Sequence, residues 1–119
     1  MEQPFTLSSE VRQNCLVIST VGYVNNVGGE AIAAEFNKHF ASGIRKVVIN
    51  LAQSKVVNSI GMSFLIEIIE QLEEAKGKLV FTNMDAGVEK MLTIMGLFRY
   101  AGKEQSVDNA IAALTKQTA

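Results

Sequence analysis

The chain has 119 residues, 48% hydrophobic and 19% charged, with 11 basic and 12 acidic side chains and a net charge of −1. That is the length of one domain, with enough apolar material for a core and too little charge for a disordered chain. The near-neutral balance, without a basic patch or an aromatic-rich strand, argues against nucleic acid and anionic membrane as partners.

No apolar run reaches about 18 residues, so no membrane-spanning helix is expected. Met1-Glu2-Gln3-Pro4 does not read as a signal-peptide start. The lone Cys15 cannot form an internal disulfide, so nothing requires an oxidising compartment. The expectation is a single cytoplasmic domain over 1–119, with no linker, repeat or low-complexity tract.

Taken in chain order, Phe5 to Val11 alternates loosely and predicts an edge strand. Gln13-Asn14 turns the chain, and Cys15 to Val21 follows as a β-branched run ended by Gly22; the short connection predicts an antiparallel hairpin. Gly28-Gly29 reads as a turn into a helix over Glu30 to Phe40, where Ile32, Phe36 and Phe40 repeat every four residues. Ser42-Gly43 ends it. Lys46 to Leu51 is apolar with little alternation, as in a strand covered on both faces.

Gly61 to Lys76 predicts the next helix, closed by Gly77, and Lys78 to Thr82 a further strand. Asp85 is placed to cap a short helix in which Val88, Met91, Leu92 and Met95 fall at core spacing. Gly96 ends that helix, and Leu97 to Tyr100 reads as a short last strand. Ser106 caps a final helix carrying Val107, Ala110, Ile111 and Leu114. Strands alternating with helices imply parallel pairs joined by right-handed crossovers. The fold class is therefore α/β: a mixed four- to five-stranded sheet with one antiparallel edge strand and about four packed helices.

The stretch from Asn50 to Phe64 carries the functional signal. A strand ends, a short loop follows, and a helix begins near Ser59, where unpaired N–H groups and the helix dipole favour negative charge. A phosphate on Ser59 would be tolerated by its own domain. At 100° per residue, Gly61, Phe64, Leu65, Ile68, Ile69 and Leu72 group on one side of the helix, opposite Ser63, Glu67, Glu70 and Glu74. Met62 and Ile66 lie on the flank. Either they pack beneath a neighbouring loop, or they add a docking surface beside Ser59.

Here the sequence resembles the STAS domain, named for sulfate transporters and anti-sigma factor antagonists, and more narrowly the stand-alone bacterial antagonists. Asn58-Ser59-Ile60-Gly61 stands after the strand ending at Leu51, where the family has Asp-Ser-x-Gly. Gly22-Tyr23-Val24-Asn25 stands where the family has Gly, a variable residue, a hydrophobic one and Asp; Gly77-Lys78-Leu79-Val80 and Met95-Gly96-Leu97-Phe98 also match. The resemblance spans nearly the whole chain and rests on the order and spacing of these motifs. It implies a partner switch. The unmodified protein binds an anti-sigma factor, often a serine kinase, and frees the sigma factor. Phosphorylation of the motif serine, Ser59 here, breaks the complex, and a phosphatase resets it. Asn25, Asn58, Ser59, Ile60, Gly61, Met62, Ser63 and Ile66 would form the partner surface. Asn25 and Asn58 depart from the family's aspartates and supply no charge.

Against the switch stands the reading of Ser59 as a plain helix cap. A second function to weigh is a cytoplasmic STAS subunit of a lipid-transport ABC complex, with no phosphoswitch. An enzyme or a small-molecule sensor ranks last, because no carboxylate pair, metal cluster or nucleophile–base pair is visible, while a ligand pocket is left open by the sequence. No cofactor and no metal are expected. His39 reads as a cation near a helix C-terminus, Cys15 as a small buried group, and Glu67, Glu70, Glu73 and Glu74 as a solvated face.

Overall fold

The computed structural model describes residues 4–116. Met1 to Gln3, read above for a leader, and residues 117–119 of the expected domain lie outside the described residues. In chain order the elements are β1 (Thr6–Arg12), β2 (Cys15–Val21), α1 (Asn26–Ala41), β3 (Lys46–Gln53), α2 (Ser59–Glu74), β4 (Lys78–Thr82), α3 (Ala86–Ile94), a 3-10 turn (Leu97–Arg99), β5 (Gly102–Glu104) and α4 (Val107–Thr115). The five strands form one sheet in the order β1-β2-β3-β4-β5. β1 pairs antiparallel with β2, and the remaining pairs are parallel. This is the α/β architecture expected, with the antiparallel strand at one edge.

The hairpin closes because Gln13 and Asn14 both adopt left-handed backbone, with φ of 51° and 66°. That is the turn geometry whose twist matches two antiparallel strands. The right-handed crossovers then place α1, α2 and α3 on one face. There, Leu16, Ile18, Ile49, Leu51, Leu79 and Phe81 of the sheet pack on Ile32 and Phe36 of α1, Leu65 and Ile68 of α2, and Leu92 of α3. Each such side chain, fully buried, contributes about 1.5–3 kcal/mol. The other face is smaller: α4 covers Cys15, Val17, Val48 and Val80 with Ala110, Ile111 and Leu114.

Three local readings change. Gly28 and Gly29 are not a turn; they lie in the first turns of α1, buried. A Cβ on Gly29 would come 2.4 Å from Phe64 Cδ2, so its absence lets α1 and α2 approach. Leu97 to Tyr100 is not a strand. Gly96 turns left-handed at φ 84°, and Leu97 and Phe98 then enter the same core cluster. Consecutive residues of a strand would face opposite ways. The last strand is instead Gly102–Glu104, paired with β4. Met91 and Met95 are 40% and 54% exposed, not core. Only Val88 and Leu92, an i, i+4 row, take α3 into the core.

Glu35 ties β1 to α1. Its Oε2 accepts from Ser9 Oγ at 2.5 Å and lies 3.0 Å from His39 Nε2, while Lys38 Nζ stands 3.8 Å from Oε1. The Ser9 hydrogen bond, helped by His39 and Lys38 and opposed by partial burial, holds the Glu35 carboxyl below its ordinary value. The native state therefore binds fewer protons than the unfolded chain as pH falls. The stability this group contributes is present above about pH 4.3, the ordinary glutamate value, and is lost below it as pH falls through the native value.

Glu35→Gln should lower stability at pH 7 by about 1 kcal/mol and flatten the decline on acidification. Urea unfolding across about pH 3 to 7 reads this directly; variant and parent curves that stay parallel would show that the carboxylate carries no pH-dependent stability.

Candidate functional site

The site lies at the carboxyl ends of β2 and β3, where the chain leaves the sheet for α1 and α2. The two connections do not splay apart. Gly22 N donates to Gln53 O, Val24 N to Val56 O and Asn58 N to Val24 O, each at 3.0 Å, and Val24 bridges Val57 as a parallel pair. Beneath them Thr20 and Ser54 share a buried hydroxyl hydrogen bond of 2.7 Å. The parallel ladder is thereby carried past the strands, and it sets two asparagines side by side at two helix starts.

Asn25 caps α1: its Oδ1 accepts from Val27 N at 3.0 Å and Gly28 N at 3.1 Å. Asn58 caps α2, its Oδ1 accepting from Gly61 N at 2.8 Å. Each cap satisfies N–H groups that a helix start otherwise leaves unpaired. Ser59 is the first residue of α2, exposed, and its hydroxyl enters no hydrogen bond among the described residues. The plain-cap reading of Ser59 is therefore replaced: Asn58 does the capping, and the hydroxyl stays free beside a helix N-terminus. The Ser59 and Ile60 N–H groups also enter no hydrogen bond among the described residues.

Gly61 is where the two connections touch most closely. A Cβ there would lie 2.2 Å from the Val24 carbonyl oxygen, so only glycine lets α2 start against the β2–α1 loop. Around Ser59 the surface is apolar. Ile60 is 54% exposed, Val56 53% and Val27 59%. Lys55 is the only charged residue between Gly22 and Gly29 or between Ser54 and Ile66. Val27 and Val56 were not singled out from sequence; they stand two residues after Asn25 and two before Asn58, in segments too short to show periodicity.

The other expected site residues divide. Ser63 is exposed, with its Oγ donating to Ile60 O at 2.6 Å. Ile66 is half-buried, flanking the core. Met62 is 2% exposed and belongs to the core, which corrects its reading as a docking residue. The apolar arc of α2 is wider than the flank reading allowed, and Met62 is taken into the same core cluster as Leu65, Ile68 and Leu97. Asn25, Asn58, Ser59 and Ile60 come together as expected, with Gly61 buried beneath them.

The STAS domain family model matches residues 6–110. A candidate anti-sigma factor antagonist of Bordetella bronchiseptica, BtrV, is 26% identical over 98 residues, covering 82% of this chain and 84% of that protein. An anti-sigma factor antagonist from Mycobacterium paratuberculosis superposes with a TM-score of 0.84 at 19% identity, covering 98% of this chain and 100% of the other. The Bacillus antagonist SpoIIAA superposes in its unphosphorylated form with a TM-score of 0.78 at 20% identity, covering 98% of this chain and 100% of that one. Its phosphorylated form gives 0.71 at 20% identity, with 92% and 98% covered. At these identities the structural matches establish the fold.

Asn58→Ala should cost about 1 kcal/mol in urea unfolding, the usual worth of an N-cap, whereas Asn58→Asp should hold or raise stability because a carboxylate both caps and meets the helix dipole. Equal losses in both variants would show that the amide, and not the capping oxygen, is what α2 requires.

Proposed function

The chain belongs to the STAS domain family, and we propose that within it the protein acts as an anti-sigma factor antagonist controlled at Ser59. In the unmodified state the surface formed by Asn25, Val27, Val56, Ser59 and Ile60 binds an anti-sigma factor. The sigma factor is released as a result. A serine kinase, which is the anti-sigma factor itself or acts with it, phosphorylates Ser59 and ends the complex; a phosphatase restores it. The protein works by binding and carries no catalytic group of its own.

One observation carries this reading: Ser59 is exposed and uncommitted at the first position of α2, because Asn58 has taken the cap. A phosphate there adds about −1.5 to −2 charges. Within the domain those charges meet the N-terminal end of a 16-residue helix, whose dipole favours them. Across an interface they join the exposed apolar side chains of Ile60, Val56 and Val27, in connecting segments whose one charged residue is Lys55. Burying an unpaired phosphate against such a surface is costly. The same group is thus compatible with the fold and hostile to the complex. The existence of SpoIIAA in phosphorylated and unphosphorylated forms on this fold supports the reading.

Ser59→Asp should leave the thermal midpoint within about 2 °C while weakening partner binding at least about 100-fold, a penalty of about 2.7 kcal/mol; Ser59→Ala should bind like the parent. The check is a pull-down from the native cytoplasm with identification by mass spectrometry, followed by titration of the captured partner. Capture of one transport ATPase by both the parent and Ser59→Asp would favour an assembly subunit and remove the switch.

A further inference from the structure

Among the described residues, four of the eight large hydrophobic side chains left exposed lie on one segment: Met91, Ile94, Met95 and Tyr100, the last three at 72%, 54% and 57%. Of these, Met95 and Tyr100 line a cleft of about 140 Å³ whose other walls include Ile66, Ile69 and Glu70 of α2 and Leu97. The segment is held firmly in place. Leu97 is buried, Phe98 packs edge-on against Phe81 with ring centroids 6.1 Å apart, and Gly96 makes the left-handed turn ahead of them. Met95 and Tyr100 are therefore presented to solvent by anchored neighbours.

Glu70 is the one charged residue lining the cleft. Glu67, Glu73 and Glu74 extend its charge along the exposed side of α2, and none of the four enters an ion pair among the described residues. Met95, placed in the core by the helical pattern, instead lines the cleft with Tyr100, across from Glu70. Methionine and tyrosine suit such a surface, being adaptable and amphipathic.

We propose that the cleft between α2 and the Leu97 turn is a docking groove for an amphipathic basic helix of a partner protein. Such a helix presents apolar side chains at i, i+4 and i+7 to a groove, with cations along its flank. Its apolar ridge fills the space over Ile66, Met95 and Tyr100, and its lysines or arginines meet Glu70 and Glu67. A second copy of this chain is the poorer occupant, because a two-fold contact through the groove would set the two Glu70 carboxylates in one seam. The proposal rests on the reading of this chain as a protein-binding domain, but not on control at Ser59.

The test titrates the full chain, ¹⁵N-labelled, with two synthetic 16-residue helical peptides that share Leu positions at i, i+4, i+7 and i+11 and carry either Lys or Glu elsewhere. The Lys peptide should shift the amides of Ile66, Ile69, Glu70, Gly96, Leu97 and Tyr100 and bind at least about tenfold tighter than the Glu peptide. Glu70→Lys and Met95→Asp should each weaken it about tenfold or more with the thermal midpoint unchanged, since both side chains are exposed. Ser59→Asp should leave this affinity within about twofold; an equal loss there would merge the groove with the Ser59 surface and overturn it as a separate site. Equal binding of both peptides, shifts scattered over the surface, or no binding would each overturn the proposal. So would sedimentation showing a dimer that Met95→Asp abolishes, which would give the groove to a second copy.

Discussion

The backbone ladder between β2 and β3 does not stop where the strands stop, and the candidate site depends on that continuation. Asn58 N reaches the Val24 carbonyl, and the same carbonyl sits where a side chain at Gly61 would be. One oxygen therefore joins two helix starts. Had position 61 carried a Cβ, α2 would have to back away, the Asn58 bond would lengthen, and Ser59 would no longer stand beside Val27 and Val56. Placement of the serine is a backbone matter, held by main-chain hydrogen bonds that no surface substitution touches.

This explains how much could be read from the sequence. Most strands and helices were legible because the β-branched runs and the 3.6-residue stripes are strong signals, and the hairpin because only Gln13-Asn14 separates its two strands. The Asn-Ser-Ile-Gly segment was legible through spacing. What periodicity could not decide was where an apolar residue goes. Met62 lies on the flank of its helical pattern and is buried in the core, whereas Met91 lies at core spacing on α3 and is 40% exposed. Similarly, Leu97 to Tyr100 has strand composition, but the left-handed Gly96 ahead of it and the need of Leu97 and Phe98 for one core make a turn.

The glycines tell a parallel story at a second place. Gly28-Gly29 reads as loop from composition, since glycine weakens helices. Inside α1 the pair carries that cost because Phe64 occupies the space beside Gly29 and the Tyr23 carbonyl lies 3.0 Å from where a Cβ on Gly28 would be. Close packing of α1 on α2 outweighs propensity, and it is the same packing that brings the two capped helix starts together.

The two asparagines also bear on the electrostatics of the proposed switch. An aspartate at the cap of α2 would spend its charge on the helix dipole and would then stand one residue from a phosphate on Ser59, like charge beside like. Asn58 makes the same hydrogen bond to Gly61 with no charge. The N-terminal potential of α2 is left for a phosphate to use, with the Ser59 and Ile60 N–H groups uncommitted. The substitution therefore shifts where recognition must come from. Under the proposed switch, a kinase that relies on a carboxylate beside its target serine would find none at Asn58, and a phosphate on Ser59 would meet no like charge at the cap of α2. On that proposal, discrimination of the unmodified form would fall to shape and apolar contact over Ile60, Val56 and Val27, the kind of surface on which an added phosphate does the most damage.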